Sequence, residues 1–169
     1  MEVYMRRKED TEEHIRKNLT TAIEIIEKLG WGQGYEQETR RQSGRETQFE
    51  REVNTTEDLF GNTKVDIYRA ITMFPFHSYT NAAITIPKYV PYLNEAAICA
   101  VIQCINDFEM PVEKTALDRK IFLRRWNRNI NPKKGEWLVS EALKDASERS
   151  DLAEIFCQLI EEAERRGEI

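Results

Sequence analysis

The chain has little of what a reactive or metal-bound site normally needs. Only two histidines, His14 and His77, occur in 169 residues. Neither has a second histidine or a cysteine at metal-ligand spacing, so no zinc site is expected. There is no Glu-x-x-His pair of the kind that holds di-iron in helical bundles. A Gly-x-Ser-x-Gly elbow and a Walker-type phosphate loop are also missing. The three cysteines, Cys99, Cys104 and Cys157, lie in apolar segments. An extracellular disulfide framework uses an even count; free buried thiols and a cytoplasmic setting are expected instead. No stretch approaches the ~20 apolar residues that span a bilayer, so no membrane partner is expected. The opening residues from Met1 to Asp10 carry basic side chains with no apolar run behind them, unlike a signal peptide.

What is present is charge and helical periodicity. Charged residues make up 33% and hydrophobic ones 40%, with a formal net charge of -5. That balance fits one globular domain over residues 1–169 and disfavours a surface that coats nucleic acid all round. Apolar residues at three- and four-residue steps predict about six helices: 11–29, 63–74, 94–108, 115–130, 135–147 and 150–166. The fold class expected is therefore mainly α, a multi-helix domain. Thr63, Asn94 and Thr115 are the expected N-caps, the first and last in capping-box patterns that use Asp66 and Asp118. Gly30 should end the first helix. The third helix, apolar nearly all round, should be central. Residues 82–86 alone resemble a strand.

Residues 31–56 lose all periodicity. Glycines punctuate a stretch of Glu, Gln, Arg and Thr, and only Trp31, Tyr35, Phe49 and Val53 offer apolar anchors. This reads as a long charged excursion that orders on a partner, because it buries too little apolar area alone. Gly30-Trp-Gly-Gln-Gly34 superficially suggests a phosphate loop. It follows a helix rather than a strand, so a helix cap and turn is the expected role.

Carboxylates recur on the helices, as Glu24 with Glu27, Glu141 with Asp145, and Glu161 with Glu162 and Glu164. They alternate with the apolar stripe as a solvated face does, which leaves a Mg²⁺-dependent helical hydrolase a distant alternative; no cofactor or metal is expected. The clearest anomaly is positive. Lys114, Arg119, Lys120, Arg124, Arg125, Arg128, Lys133 and Lys134 are answered only by Asp118 within their span, with Phe122 and Trp126 interleaved. Such residues can neutralise phosphates and stack on bases, and the helix–Pro turn–helix layout resembles a recognition-helix arrangement. Equally, Leu117, Ile121, Trp126 and Ile130 can form core while the cations pair with acidic surfaces of this chain or a partner. A protein partner is expected first and nucleic acid second. Self-association is compatible with both.

Leu29-Gly-Trp-Gly-Gln-Gly34, and Ile102-Gln-Cys-Ile-Asn-Asp107 followed by Pro111-Val-Glu-Lys-Thr-Ala-Leu-Asp118, resemble a family of small uncharacterised helical proteins of actinobacteria and their phages. That family carries a Gly-Trp-x-Gln-Gly segment and a later Trp-Asn-Asp segment before a helix. The likeness covers the middle of the chain, and Ile105 stands where the family has Trp. It implies a bacterial or viral helical domain. No activity is attached to the family, so no functional residue carries over.

Overall fold

In a computed structural model, the described residues are 8–33, 64–73, 87–106 and 111–169. Among the described residues six α-helices follow one another: α1 Lys8–Leu29, α2 Ile67–Thr72, α3 Pro91–Ile105, α4 Ala116–Asn129, α5 Gly135–Ser147 and α6 Leu152–Arg165. Short 3₁₀ turns at Pro87–Tyr89 and Pro111–Glu113 precede α3 and α4. The described residues form no extended strand beyond one isolated bridge. The mainly α reading holds. The expected strand over 82–86, the cap at Thr63, His77 and most of the excursion lie outside the described residues.

Burial follows the apolar spacing. In α1, Ile15, Leu19, Ala22 and Ile26 are fully buried at steps of four, three and four, one face of a helix. Gly30 closes α1 with φ +91° and donates its N–H to the Ile26 carbonyl at 2.7 Å, a left-handed cap that only glycine adopts without strain. α3 has a buried run from Ala96 to Ile102. It packs on α1, α5 and α6 and touches α2 and α4, which makes it the central helix. One connected apolar cluster draws on all six described helices.

Two expected helix starts are displaced. α2 is capped by Asp66, whose side chain accepts the Arg69 N–H at 2.7 Å. Asp66, read from sequence as the acid partner of a Thr63 cap, takes the cap itself because its short carboxylate reaches the third N–H. α3 begins at Pro91, since a fixed φ and a missing N–H suit the first helical position. Asn94, expected as its cap, is buried one turn inside and accepts a hydrogen bond from Asn18 of α1. Thr115 caps α4 as expected, accepting from Asp118 N at 3.1 Å.

The outward residues also correct the sequence reading. Leu117 and Ile121, assigned to the core, are 63% and 42% exposed, and Trp137 is 63% exposed. α4 touches only α2 and α3 to any extent, so one of its faces has no described helix against it.

Candidate interaction surface

The eight cations between Lys114 and Lys134 do not form one patch. Arg119 is buried. Its Nε and Nη2 donate to Glu95 Oε1 at 3.1 and 2.9 Å, and its Nη1 donates to the Pro111 and Lys114 carbonyls at 2.9 and 2.6 Å. This guanidinium ties α3, the 3₁₀ turn and α4 together through four of its five N–H donors. Arg124 pairs with buried Asp66 at 3.3 Å and lies 4.9 Å from the Tyr68 ring centre. Lys120 lies 5.3 Å from the same ring centre, within cation–π range. Both therefore hold α4 on α2. Arg128 is half-buried, and its carbonyl accepts the Gln33 amide N–H at 2.8 Å.

Lys114, Arg125, Lys133 and Lys134 are the exposed cations of the set. None of these four side chains meets a carboxylate among the described residues. The structure thus divides the basic segment into cations used by the fold and cations left to solvent.

Along the uncovered face of α4 run two adjoining clefts. One, of about 430 Å³, is lined by Ile102, Pro111, Ile121 and Phe122, with Lys114, Asp118, Arg119 and Arg125 at its edges. The other, of about 500 Å³, is lined by Phe122, Trp126, Ile130 and Leu138, with Arg125, Asn129 and Asn131. Phe122 and Arg125 belong to both and form the ridge between them. Helical spacing sorts these residues into two adjacent strips: Leu117 and Ile121, four apart, lie on the outward side of α4, while Phe122 and Trp126, also four apart, are half-buried further round the helix. Leu123, Asn127 and Ile130 occupy the buried side.

Asn127, set among the cations of the basic segment, faces inward. It has no exposed surface. Its Oδ1 accepts the Trp31 indole N–H at 2.7 Å and the Ile67 backbone N–H at 3.0 Å, while its Nδ2 donates to the Gly32 carbonyl at 3.0 Å. Trp31 and Val65 form a parallel bridge, with Val65 N–H donating to Gly30 O and Gly32 N–H to Val65 O. The chain thus leaves the described core after Gln33 and returns at Lys64 beside its point of departure, and one asparagine pins both ends. The signal was present in sequence: Asn127 is four residues after Leu123 and three before Ile130, on their face. Trp31, expected as an anchor of the excursion for a partner, is 8% exposed and packs on Gly135, where a Cβ would stand 2.1 Å from its ring. Tyr35 and Phe49 lie outside the described residues.

Beside this clasp is a shallow depression of about 610 Å³ that includes exposed Trp137 with Pro132, Lys64 and Lys133, and the acids Glu27 and Glu136. The glycine pentad begins as a helix cap and bridge rather than as a cradle.

Neither Cys99 nor Cys104 is set up for nucleophilic attack. Burial pushes Cys99 up to about 12. Cys104 is raised too, chiefly by burial, although the Arg149 guanidinium 3.8 Å away works against the rise. A reactive thiolate needs the opposite shift. Among the described residues, no three His, Cys, Asp or Glu side chains are grouped to hold a metal, and the helical carboxylates do not converge. No helix among them is long and apolar enough to cross a membrane.

Comparison with known proteins finds no matching family model, no similar curated protein and no similar solved structure.

Proposed function

We propose that this protein is a helical interaction module, a regulator or adaptor that works by docking another protein on the uncovered face of α4. One observation carries this reading: exposed Ile121 lines the first of two adjoining clefts, and Leu117 stands exposed one turn before it. Contiguous apolar surface rimmed by polar groups marks interaction sites, because leaving it in water is costly. The cations left to solvent beside it steer an acidic partner and raise its on-rate. A photo-crosslinking amino acid at position 121 is expected to mark a discrete protein in host cells, whereas the same group at position 154, exposed on α6, is not. Equal labelling from both positions, or none from 121, refutes the reading.

A second reading, binding to nucleic acid, draws on exposed Trp137, which shares a depression with Lys64 and Lys133. A stacking ring flanked by ammonium groups suits single strands. The α4 cations support it less well: Arg119 and Arg124 are committed to Glu95 and Asp66, and the first turn of α4 presents Leu117 and Asp118. Anisotropy titrations with labelled single- and double-stranded oligonucleotides at low and near-physiological salt separate the readings. Salt-sensitive binding lost in Trp137→Ala with Lys133→Glu favours nucleic acid.

A further inference from the structure

From the α4 face we infer the chemistry of its occupant: an amphipathic helical segment of a protein partner, with two bulky apolar anchors and a carboxylate between them. The inference rests on the reading of α4 as the docking face and specifies what docks there.

The two clefts, of about 430 and 500 Å³, each have room for a large side chain. Arg125 stands on their shared ridge, exposed and without a carboxylate partner among the described residues. Ile121 lines the first cleft and Trp126 the second, so the clefts follow one another along α4, with ~7.5 Å of axial rise between these two residues. A partner helix supplies matching anchors one to two turns apart, and the residue between them faces the ridge. An acid there meets the guanidinium in a charge-assisted hydrogen bond that strengthens as the anchors exclude water.

The charge of the rim argues the same way. Lys114 and Arg125 line the first cleft and Asp118 is the one acid in its lining; the third cation there, Arg119, already belongs to Glu95. The second cleft is edged by Arg125 and two asparagines and has no acid. Exposed aliphatic Leu117 and Ile121 decide between a peptide and a polynucleotide. A phosphate backbone covers no apolar surface, and aliphatic side chains do not stack on bases as aromatics do.

The test displays 16-residue helical peptides on phage, with large apolar residues at i and i+4 or i+7 and an acidic, neutral or basic residue between. Selection against the full-length protein is expected to enrich the acidic set. The selected peptide should lose about tenfold or more in affinity to Arg125→Glu, as expected when one partner of a desolvated ion pair is reversed. A basic residue in the middle of the peptide should regain binding to that variant. Ile121→Glu should abolish binding of both peptides. Unchanged melting curves show that the variants remain folded.

Equal enrichment of the three charge classes, or binding indifferent to Arg125→Glu, overturns the inference. So does a concentration-dependent dimer lost in Ile121→Glu, which assigns the face to a second copy. If no peptide is selected while the crosslinker at 121 still marks a protein, this inference falls and the docking function stands. If the crosslinker marks nothing, both fall.

Discussion

Replacing Asn127 by Leu is expected to be among the most damaging single changes in the described core, although the two side chains are similar in size. The leucine leaves the Trp31 indole N–H, the Ile67 N–H and the Gly32 carbonyl without the partner each now has. A buried polar group left unpaired costs about 1–3 kcal/mol. The bond to Gly32 is only part-buried, so water can restore some of it, and a total loss of about 4–5 kcal/mol is expected. That is comparable to the whole stability of many domains, roughly 5–15 kcal/mol. Urea unfolding followed by helical circular dichroism measures it. Trp31→Phe alone removes one donor and should cost much less than Asn127→Leu. In the Asn127→Leu background it removes a group already orphaned, so the two losses should fall short of additive by more than about 1 kcal/mol. A loss below about 1 kcal/mol for Asn127→Leu, or additivity within ~0.5 kcal/mol, would refute the account of Asn127 as the clasp.

The same junction makes Gly135→Ala disruptive, because the new methyl meets the Trp31 ring at 2.1 Å; thermal melting should show a loss of about 1–3 kcal/mol, the usual range for overpacking. Removing residues 37–50 separates none of the described contacts, since Trp31 and Val65 are already bridged; roughly halving the loop favours folding by ~0.6 kcal/mol. Partner capture should nevertheless fall if that stretch contributes to the partner's grip, and a melting point lowered by the deletion would show a structural role instead. Asp151 is held below its ordinary value of 3.8, first by its hydrogen bond from Arg149. A carboxyl depressed in the folded state stabilises above the unfolded value and stops doing so as pH falls through the folded one. Asp151→Asn should therefore narrow its stability gap to the parent protein only below about pH 4, and a gap that is flat across that range in acid titrations would contradict the pairing. Cys99, raised to about 12 by burial, should not react with a disulfide reagent at pH 8 in the native protein, but all three thiols should react in denaturant; rapid native labelling of Cys99 would contradict its burial.

Much of the helical layout was legible because it depends on local periodicity. α1 is readable from Ile15, Leu19, Ala22 and Ile26, α5 from Val139, Ala142 and Leu143, and α6 from its alternation of Leu152, Ile155, Phe156 and Leu159 with acids. Helix starts were less legible where two local rules compete. Asn94 satisfies the composition of a cap, yet Pro91 can start the helix three residues earlier, and tertiary contact with Asn18 rewards burying the amide. The candidate site was legible as a charged segment and not as a surface. Eight cations in one stretch look alike in sequence; only packing shows that Arg119 holds the turn and Arg124 holds α2.

The sequence by itself determined a mainly helical fold, the glycine that ends α1, the apolar helix at the centre and the excess of cations around α4. These follow from side-chain spacing and backbone preference, which act within a few residues. The tertiary structure decided which polar groups face inward and which apolar ones remain outside. Asn127 became the pin of a clasp because Trp31, Gly32 and Ile67 converge on it from elsewhere in the chain. Leu117 and Ile121 became surface because no described helix covers that side of α4. Such outcomes depend on contacts between residues far apart in sequence, and no local pattern specifies those.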